Sequence, residues 1–275
     1  MVFTNTIERL GARATRDVDA FGDFCRFCGR SMGWLVQSGF SVRGLRLLGP
    51  QLYHVATRSL PVVMVTGMFV GMVLAVQTIM QFKAVNMEAQ MGTIIILSVL
   101  RELGPVLSGV MLAGRVGGAL TAELGTMRVT EQIDALRAMG TDPLRILVVP
   151  RFLACVIALP ILVLYASVMG IAGGYLMSVF VYDVNAAEFW RHSVNVVGYF
   201  DIFYGPIKAV FFGAALSLIC CYKGFHCKPG AAGVGKACTE SFVASCMAIL
   251  GLDLFIGVIL NTLYMSIYGV KVLLG

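Results

Sequence analysis

Polar residues interrupt this apolar chain along one stretch, Gly125-Thr-Met-Arg-Val-Thr-Glu-Gln-Ile-Asp-Ala-Leu-Arg-Ala-Met-Gly-Thr-Asp-Pro-Leu-Arg145, which has a long apolar segment on each side. The stretch predicts one short helix with a signal at each end. Thr130 is a favourable N-cap, and Gly140 can take the left-handed conformation that ends a helix. Asp142 and Pro143 then predict the start of the next helix.

The predicted short helix, residues 131–139, needs a surface to dock on. Ile133, Leu136 and Met139 recur at three-residue spacing and form an apolar stripe on one face. A two-turn helix is unstable by itself in water. Two alternatives follow: a connecting helix that lies on lipid or on its own protein, or a helix that docks on a separate partner.

The composition predicts an all-α integral membrane protein. The chain has 275 residues, of which 58% are hydrophobic and 13% charged, whereas a soluble domain has ~25% charged residues. Several segments exceed the roughly 20 apolar residues that span a bilayer. We predict a membrane domain over residues 51–275 with about five spans, at residues 60–82, 93–127, 147–182, 201–222 and 242–268. In the first span, Gly67, Gly71 and Ala75 permit close helix packing.

The N-terminal residues 1–50 predict an amphipathic helix that lies in the membrane interface. Apolar residues step by three or four from Ile7 through Val18 and Phe21 to Leu35, and basic residues occupy much of the remaining surface. Helices of this kind lie in the interface plane. The alternative is a soluble helical domain, which we disfavour because the chain offers no other soluble core.

The distribution of basic residues predicts the orientation. Residues 1–59 hold eight arginines. The polar stretch and its end hold Arg128, Arg137, Arg145 and Arg151, the 223–241 loop holds Lys223, Lys228 and Lys236, and the opposite side has Lys83, Arg191 and Lys271. The positive-inside rule then places the N-terminus, the polar stretch and the 223–241 loop in the cytoplasm and the C-terminus outside. The net charge of +6 therefore indicates membrane orientation, and we expect no nucleic-acid partner.

Ionisable side chains inside the predicted spans are candidates for function. Arg101 and Glu102 lie beside Leu103-Gly-Pro105, which predicts a break in the second span. Ionisable groups at membrane depth face a bundle interior or an aqueous cavity. Adjacent residues point about 100° apart on a helix, so Arg101 and Glu102 should find separate partners. For these two we favour substrate contact.

Other charges inside the spans have a structural interpretation. They are Arg115, Glu123, Lys208 and Asp253. We predict that Lys208 pairs with Asp253, or Arg115 with Glu123, and that such pairs fix the helix packing.

A near match to a phosphate-binding loop occurs at Gly230-Ala-Ala-Gly-Val-Gly-Lys-Ala237. Ala237 stands where a Ser or Thr would hold magnesium, and no buried strand precedes the loop. No catalytic motif appears either. We therefore predict that the chain is not an enzyme, that it holds no cofactor, and that any ATP is hydrolysed by a separate subunit.

The chain contains eight cysteines, of which Cys25 and Cys28 have C-x-x-C spacing. A structural zinc site needs four ligands, and neither a second pair nor a nearby histidine is present. We predict reduced thiols and no metal site.

Six groups of residues form a further pattern between Gln51 and Phe255. They are Gly71-Met-Val-Leu-Ala-Val-Gln77; Leu100-Arg-Glu-Leu-Gly-Pro-Val106; Ala113-Gly-Arg115 with Ala119-Leu-Thr-Ala-Glu-Leu-Gly125; Thr130-Glu-Gln132 with Met139; Asp142-Pro-Leu-Arg145 with Pro150-Arg-Phe152; and Leu250-Gly-Leu-Asp253. Together they resemble the MlaE/YrbE permease family of the MCE lipid-transport systems.

This resemblance implies the membrane subunit of an ABC transporter for phospholipid or a related lipid, as in systems for outer-membrane lipid asymmetry. Two copies would pair in the inner membrane, with ATPase subunits on the cytoplasmic side and a hexamer of MCE proteins on the periplasmic side. A cytoplasmic coupling helix would contact the ATPase through Glu131, Gln132, Asp134, Leu136 and Arg137. A lipid pocket between the copies would be lined by Leu74, Gln77, Arg101, Glu102 and Leu103.

Two other functions compete with lipid transport. One is a membrane scaffold that anchors an MCE or ATPase partner without moving lipid. The other is a proton-coupled secondary transporter that uses Glu102 and Asp253 as proton sites. The sequence shows no inverted repeat, which counts against the secondary transporter.

Overall fold

Helices account for every regular element that the computed structural model describes, over residues 2–38, 42–83 and 90–268. The α-helices are α1 (Val2–Ser38), α2 (Val42–Lys83), α3 (Met91–Ser98), α4 (Gly104–Leu112), α5 (Gly118–Val129), α6 (Gln132–Ala138), α7 (Val149–Leu176), α8 (Ala186–Val196), α9 (Tyr199–Phe225) and α10 (Ala231–Tyr268). Four π-helical turns join or extend them in this part of the chain, at Val99–Leu103, Ala113–Gly117, Leu144–Val148 and Met177–Val181. The predicted all-α fold class is confirmed.

Five continuous helical segments are long and apolar enough to cross a membrane in the described residues. They cover Arg46–Phe82, Met91–Val129, Leu144–Val181, Tyr199–Phe225 and Ala231–Ser266. The chain is therefore a multi-pass membrane protein. These segments extend beyond most ends of the predicted spans, and the division at residue 50 into an interfacial segment and a membrane domain stays a prediction.

The helices continue through polar residues past two of the predicted boundaries. The helix of the first predicted span, residues 60–82, begins well before residue 60, because α2 contains both Pro50 and Pro61 in its interior. The predicted 223–241 loop is mostly helical, because α9 ends at Phe225 and α10 begins at Ala231. Gly230, at φ 93°, marks the short connection that remains.

The predicted break at Leu103-Gly-Pro105 is also wrong. The helix passes through this point with a π-turn, in which the Gly104 N–H donates to the Val99 carbonyl five residues back. Pro105 then lies in the first turn of α4, where a missing N–H costs little. The second span is consequently continuous from Met91 to Val129.

Helices α2 and α7 cross with their backbones in contact, and small residues make this possible. A Cβ atom added at Gly71 would lie 1.8 Å from the carbonyl oxygen of Gly170, and one added at Gly173 would lie 2.2 Å from that of Met68. The backbones therefore touch without intervening side chains, as the spacing of Gly67, Gly71 and Ala75 predicts.

Helix α1 packs on the bundle with one face and leaves a second apolar face exposed. The Phe27 ring lies 5.6 Å from the Tyr222 ring and 5.8 Å from the Phe225 ring, measured between centroids. Val18 and Phe21, from the predicted apolar stripe, are exposed. An exposed apolar stripe is what a helix in the membrane interface presents to lipid, and that location stays a prediction.

We expect Gly71→Ala to lower stability by about 3 kcal/mol, because the new methyl group overlaps a backbone oxygen that cannot move aside. Gly251→Ala is the matched control, since a Cβ there meets nothing within 4 Å. Thermal unfolding of the detergent-solubilised protein measures both. Equal unfolding temperatures for the two variants would contradict the α2–α7 packing described here.

Candidate functional site

A buried lysine is the centre of a charged cluster inside the helix bundle. Lys208 on α9 is 0% exposed. Its Nζ lies 2.7 Å from Glu102 Oε2 and 2.8 Å from Asp253 Oδ1 on α10. Gly257 leaves room for the ammonium group, because a Cβ there would lie 3.4 Å from Nζ. The predicted pair of Lys208 with Asp253 is confirmed, and Glu102 joins it.

Arg101 pairs with Asp201, a partner that the sequence analysis missed. The Arg101 Nε donates to Asp201 Oδ1 over 2.7 Å, and a second guanidinium nitrogen donates to the same oxygen. The other oxygen of Asp201 accepts the Gly198 N–H at 2.8 Å and so caps α9. The guanidinium carbon also lies 4.9 Å from the ring centroid of Tyr264. Arg101 and Glu102 therefore have separate partners, as predicted from their adjacent positions.

Three of these side chains, Arg101, Glu102 and Asp253, line a cavity of 480 Å³ that has a charged part and an apolar part. Its lining residues are Leu97, Ser98, Arg101, Glu102, Tyr204, Asp253, Leu254, Gly257, Val258 and Asn261. The Glu102 side chain is 52% exposed, whereas the side chain of its counter-ion Lys208 is fully buried. A carboxylate thus faces the cavity at the depth of a membrane span, beside the exposed apolar side chains of Leu254 and Val258.

Three of the predicted substrate residues lie outside this charged cavity. Leu103 lines a separate narrow cavity against α2, because residues two positions apart on a helix point to nearly opposite sides. Leu74 is half-buried and Gln77 exposed on α2, and no residue of α2 lines the charged cavity. A single copy therefore does not bring the five residues together, and their role at a lipid pocket between copies stays a prediction.

The predicted pairing of Arg115 with Glu123 is wrong. They lie eight positions apart on one continuous helix, which is ~12 Å along the axis. Glu123 instead accepts from Arg151 Nη2 at 3.0 Å. Arg151 is buried and donates its Nη1 to the Leu147 carbonyl at 2.9 Å. This ion pair joins α5 to the start of α7.

Helix α6 has the predicted C-terminus and a different N-terminus. Gly140, at φ 73°, donates to the Arg137 carbonyl at 2.9 Å, and Thr141 donates to the Leu136 carbonyl at 3.1 Å. This is a Schellman motif. Thr130 is not the N-cap, because it ends α5 and its hydroxyl donates to the Thr126 carbonyl. Glu131, at φ 59°, instead makes the turn between the helices.

One apolar residue anchors α6 to its own protein. Ile133 is fully buried in a cluster with Leu124, Leu144 and Val148. Leu136 is half-buried at the edge of that cluster, whereas Met139 is 69% exposed. Docking on the protein is thus confirmed for Ile133. The outer face of α6 remains available to a partner.

The exposed face of α6 carries a network of charges. Asp134 accepts from Arg128 at 2.6 Å and from Arg137 at 3.1 Å. Glu131 and Gln132 are exposed beside them. Four of the five predicted coupling residues are therefore exposed. The fifth, Leu136, is half-buried and packs against the cluster that contains Ile133.

The segment after α6 is tied to α1. Asp142 Oδ1 accepts the Leu144 N–H at 2.9 Å, which confirms the predicted helix start. Its other oxygen accepts from Trp34 Nε1 at 2.8 Å. The Arg145 guanidinium lies 5.5 Å from the centroid of the same Trp34 ring.

All eight cysteines are free thiols. Burial raises the pKa of the Cys28 thiol, and neighbouring Cys25 raises it further, so this thiol is protonated at neutral pH. In the described residues, no group of three or more His, Cys, Asp or Glu side chains is placed to hold a metal ion. Residues 231–237 of the glycine-rich sequence form the first turns of α10, whereas a phosphate-binding loop cradles its ligand in a non-helical turn.

The fold defines a multi-pass helical membrane protein with paired charges inside its bundle. Residues 48–259 match the family model described as Permease MlaE. The chain therefore belongs to the MlaE permease family, and the resemblance drawn from its motifs is confirmed.

Curated relatives agree with this assignment. The chain is 39% identical over 246 residues to a probable ABC transporter permease protein of Rickettsia conorii, covering 90% of this chain and 94% of that protein. It is 38% identical over 243 residues to the intermembrane phospholipid transport system permease protein MlaE of Haemophilus influenzae, covering 86% and 93%. It is 37% identical over 203 residues to the chloroplastic protein TRIGALACTOSYLDIACYLGLYCEROL 1 of Arabidopsis thaliana, covering 74% and 58%.

We expect Lys208→Met to cost about 3–5 kcal/mol, because it leaves Glu102 and Asp253 close together without a cation. Adding Asp253→Asn should recover part of that loss, since one of the two unpaired carboxylates is removed. Thermal unfolding of the two single variants and the double variant forms the cycle that measures this coupling. Strictly additive losses would show that Lys208 and Asp253 do not depend on each other.

Proposed function

We propose that this chain is the membrane subunit of an ABC transporter that moves phospholipid, or a related lipid, between the inner membrane and a periplasmic MCE protein. A separate ATPase subunit supplies the energy. The chain works as a homodimer, with its N-terminus in the cytoplasm and its C-terminus in the periplasm.

The observation that carries this proposal is the divided character of the 480 Å³ cavity. Arg101 and the open Glu102 carboxylate provide contacts for a polar headgroup, while Leu254 and Val258 provide an apolar wall for acyl chains. A phospholipid has the same two parts. The name of the Haemophilus influenzae relative, an intermembrane phospholipid transport permease, supports the same substrate class.

The exposed face of α6 supports coupling to an ATPase. Ile133 and the Schellman motif at Gly140 hold the helix rigidly, so force applied to its outer face reaches the second and third spans. The proposed contacts are Glu131, Gln132, Asp134 and Arg137, with Leu136 beneath them. The hexamer of MCE proteins would receive lipid on the opposite side of the membrane.

Glu102→Gln should lower ATP-dependent lipid transfer about tenfold, because one lost charged contact to a headgroup is worth about 1.4 kcal/mol or more. The measurement is transfer of fluorescent phospholipid in proteoliposomes that contain the permease, ATPase and MCE subunits. Glu240→Gln is the control. Glu240 lies near the N-terminal end of α10, does not line the charged cavity, and pairs with Lys223.

The same assay separates the competing functions. A scaffold predicts no transfer above the rate of the MCE and ATPase subunits alone. A proton-coupled transporter predicts transfer driven by a pH gradient without ATP. Either result would contradict the proposed ABC lipid transporter.

Arg137→Glu combined with Met139→Asp should reduce the ATPase retained on the purified permease by about tenfold, because charge mismatch in an interface is costly. The variant should fold normally, since both side chains are exposed. Lys228→Glu is the control: it reverses one exposed charge in the short turn between α9 and α10. Undiminished ATPase retention in the α6 variant would rule out docking on this face.

A further inference from the structure

A small cleft between α2 and α5 is lined mainly by basic and polar side chains. Its volume is 140 Å³, well above the roughly 10–15 Å³ that a cavity needs in order to hold one water molecule. Its lining residues are Gln51, His54, Val55, Arg58, Ser59, Arg115, Val116, Ala119, Leu120 and Glu123. This basic cleft shares no residue with the charged cavity around Lys208.

The two arginines of the basic cleft are available to a ligand. In residues 2–38, 42–83 and 90–268, neither Arg58 nor Arg115 makes an ion pair, hydrogen bond or ring contact with another residue. The one carboxylate in the lining, Glu123, already accepts from the buried Arg151 at 3.0 Å. The basic cleft therefore has an excess of positive charge.

A buried hydroxyl provides an independent sign of a ligand. Ser59 is 0% exposed, and its Oγ has no hydrogen-bond partner in the described structure although Ser59 lines the basic cleft. Buried polar groups are nearly always hydrogen-bonded. A ligand that accepts from this hydroxyl and from two guanidinium groups would satisfy all three donors.

The position of the basic cleft indicates where such a ligand comes from. Arg58 lies two residues before Leu60, where the uninterrupted apolar run of α2 begins. The cleft thus lies at the level where lipid phosphates meet the hydrocarbon. Basic pockets between membrane helices on the cytoplasmic side bind anionic lipid headgroups.

We propose that Arg58, Arg115 and Ser59 bind a phosphate oxyanion, supplied by the headgroup of an anionic phospholipid in the cytoplasmic leaflet. Guanidinium groups form bidentate, charge-assisted hydrogen bonds with phosphate, and the positive lining disfavours a metal ion. The assignment to the cytoplasmic leaflet rests on the orientation proposed above. The binding of an oxyanion does not rest on that orientation, and it does not depend on whether the protein transfers lipid.

Native mass spectrometry of the full chain in a neutral maltoside detergent tests the site, because it reports bound lipid and oligomeric state together. The probes are dihexanoyl phosphatidylglycerol, dihexanoyl phosphatidylcholine and inorganic phosphate. Arg58→Gln with Arg115→Gln should weaken binding of phosphatidylglycerol about tenfold. The control, Arg30→Gln with Arg191→Gln, removes the same net charge from exposed positions and should leave affinity within about twofold.

Ser59→Ala provides a second variant that keeps both charges. It should weaken phosphatidylglycerol binding about threefold while the unfolding temperature of the lipid-free protein stays equal or rises, since an unsatisfied buried hydroxyl is removed. Tighter binding of phosphatidylglycerol than of inorganic phosphate would assign the lipid headgroup as the source. Competition by phosphate at equal affinity would support the oxyanion site and assign a free anion.

Two results would overturn the proposal. One is equal phosphatidylglycerol affinity in the wild type and in the Arg58/Arg115 variant. The other is loss of the dimer in that variant without a change in lipid binding, which would mean that a carboxylate of a second copy occupies the basic cleft. Lipid affinity and oligomeric state are both measured on the purified permease alone. A failure of lipid transfer in proteoliposomes would therefore leave this test unaffected.

Discussion

The arrangement of the bundle depends on placing one lysine ammonium in the interior of a membrane protein. Lys208 has no contact with solvent, and an isolated charge in such an environment is prohibitively costly. Two carboxylates from different helices therefore have to approach it, and this requirement fixes α9 against the second and fifth spans. The neighbouring pair of Arg101 and Asp201 adds a second electrostatic link between α9 and the second span. Two cations and three carboxylates thus share one region of the bundle, and the side chain least enclosed is Glu102.

Much of the fold was predictable because membrane helices obey strong constraints. Long apolar runs indicated the five spans, and glycines at four-residue spacing indicated the close contact that α2 makes with α7. The predicted helix ends were less accurate. The hydrophobic signal stops at the membrane boundary, while a helix such as α10 continues through polar residues that include Lys236, Thr239 and Glu240. Hydropathy measures where lipid ends, and the backbone hydrogen bonds of a helix do not have to end there.

The sequence predicted which charged residues form the candidate site, but it predicted their ion-pair partners less well. Arg101, Glu102, Lys208 and Asp253 stood out because charges are rare in spans, but the choice of partner depends on helix rotation, which one sequence does not specify. Asp201 was missed because it lies in the first turn of its helix, where an acid is ordinary. It serves as a cap and as a counter-ion at once. Arg115 is too far from Glu123 along the helix axis to pair with it. Glu123 instead pairs with Arg151 on another helix.

The π-turn at Val99–Leu103 shifts the helical phase of the second span. A π-turn accommodates one residue more than an α-turn does over nearly the same rise, so it offsets the helical phase of everything that follows. A helical wheel drawn across Met91–Val129 with a uniform period therefore assigns the later residues to the wrong face. Removal of a single residue here would restore a regular helix and leave the downstream half facing nearly its present neighbours, because the π-turn absorbs the extra residue locally. Arg101 and Glu102 lie within the turn itself, so the orientation of the charged side chains and the phase of the helix beyond them are set at one point.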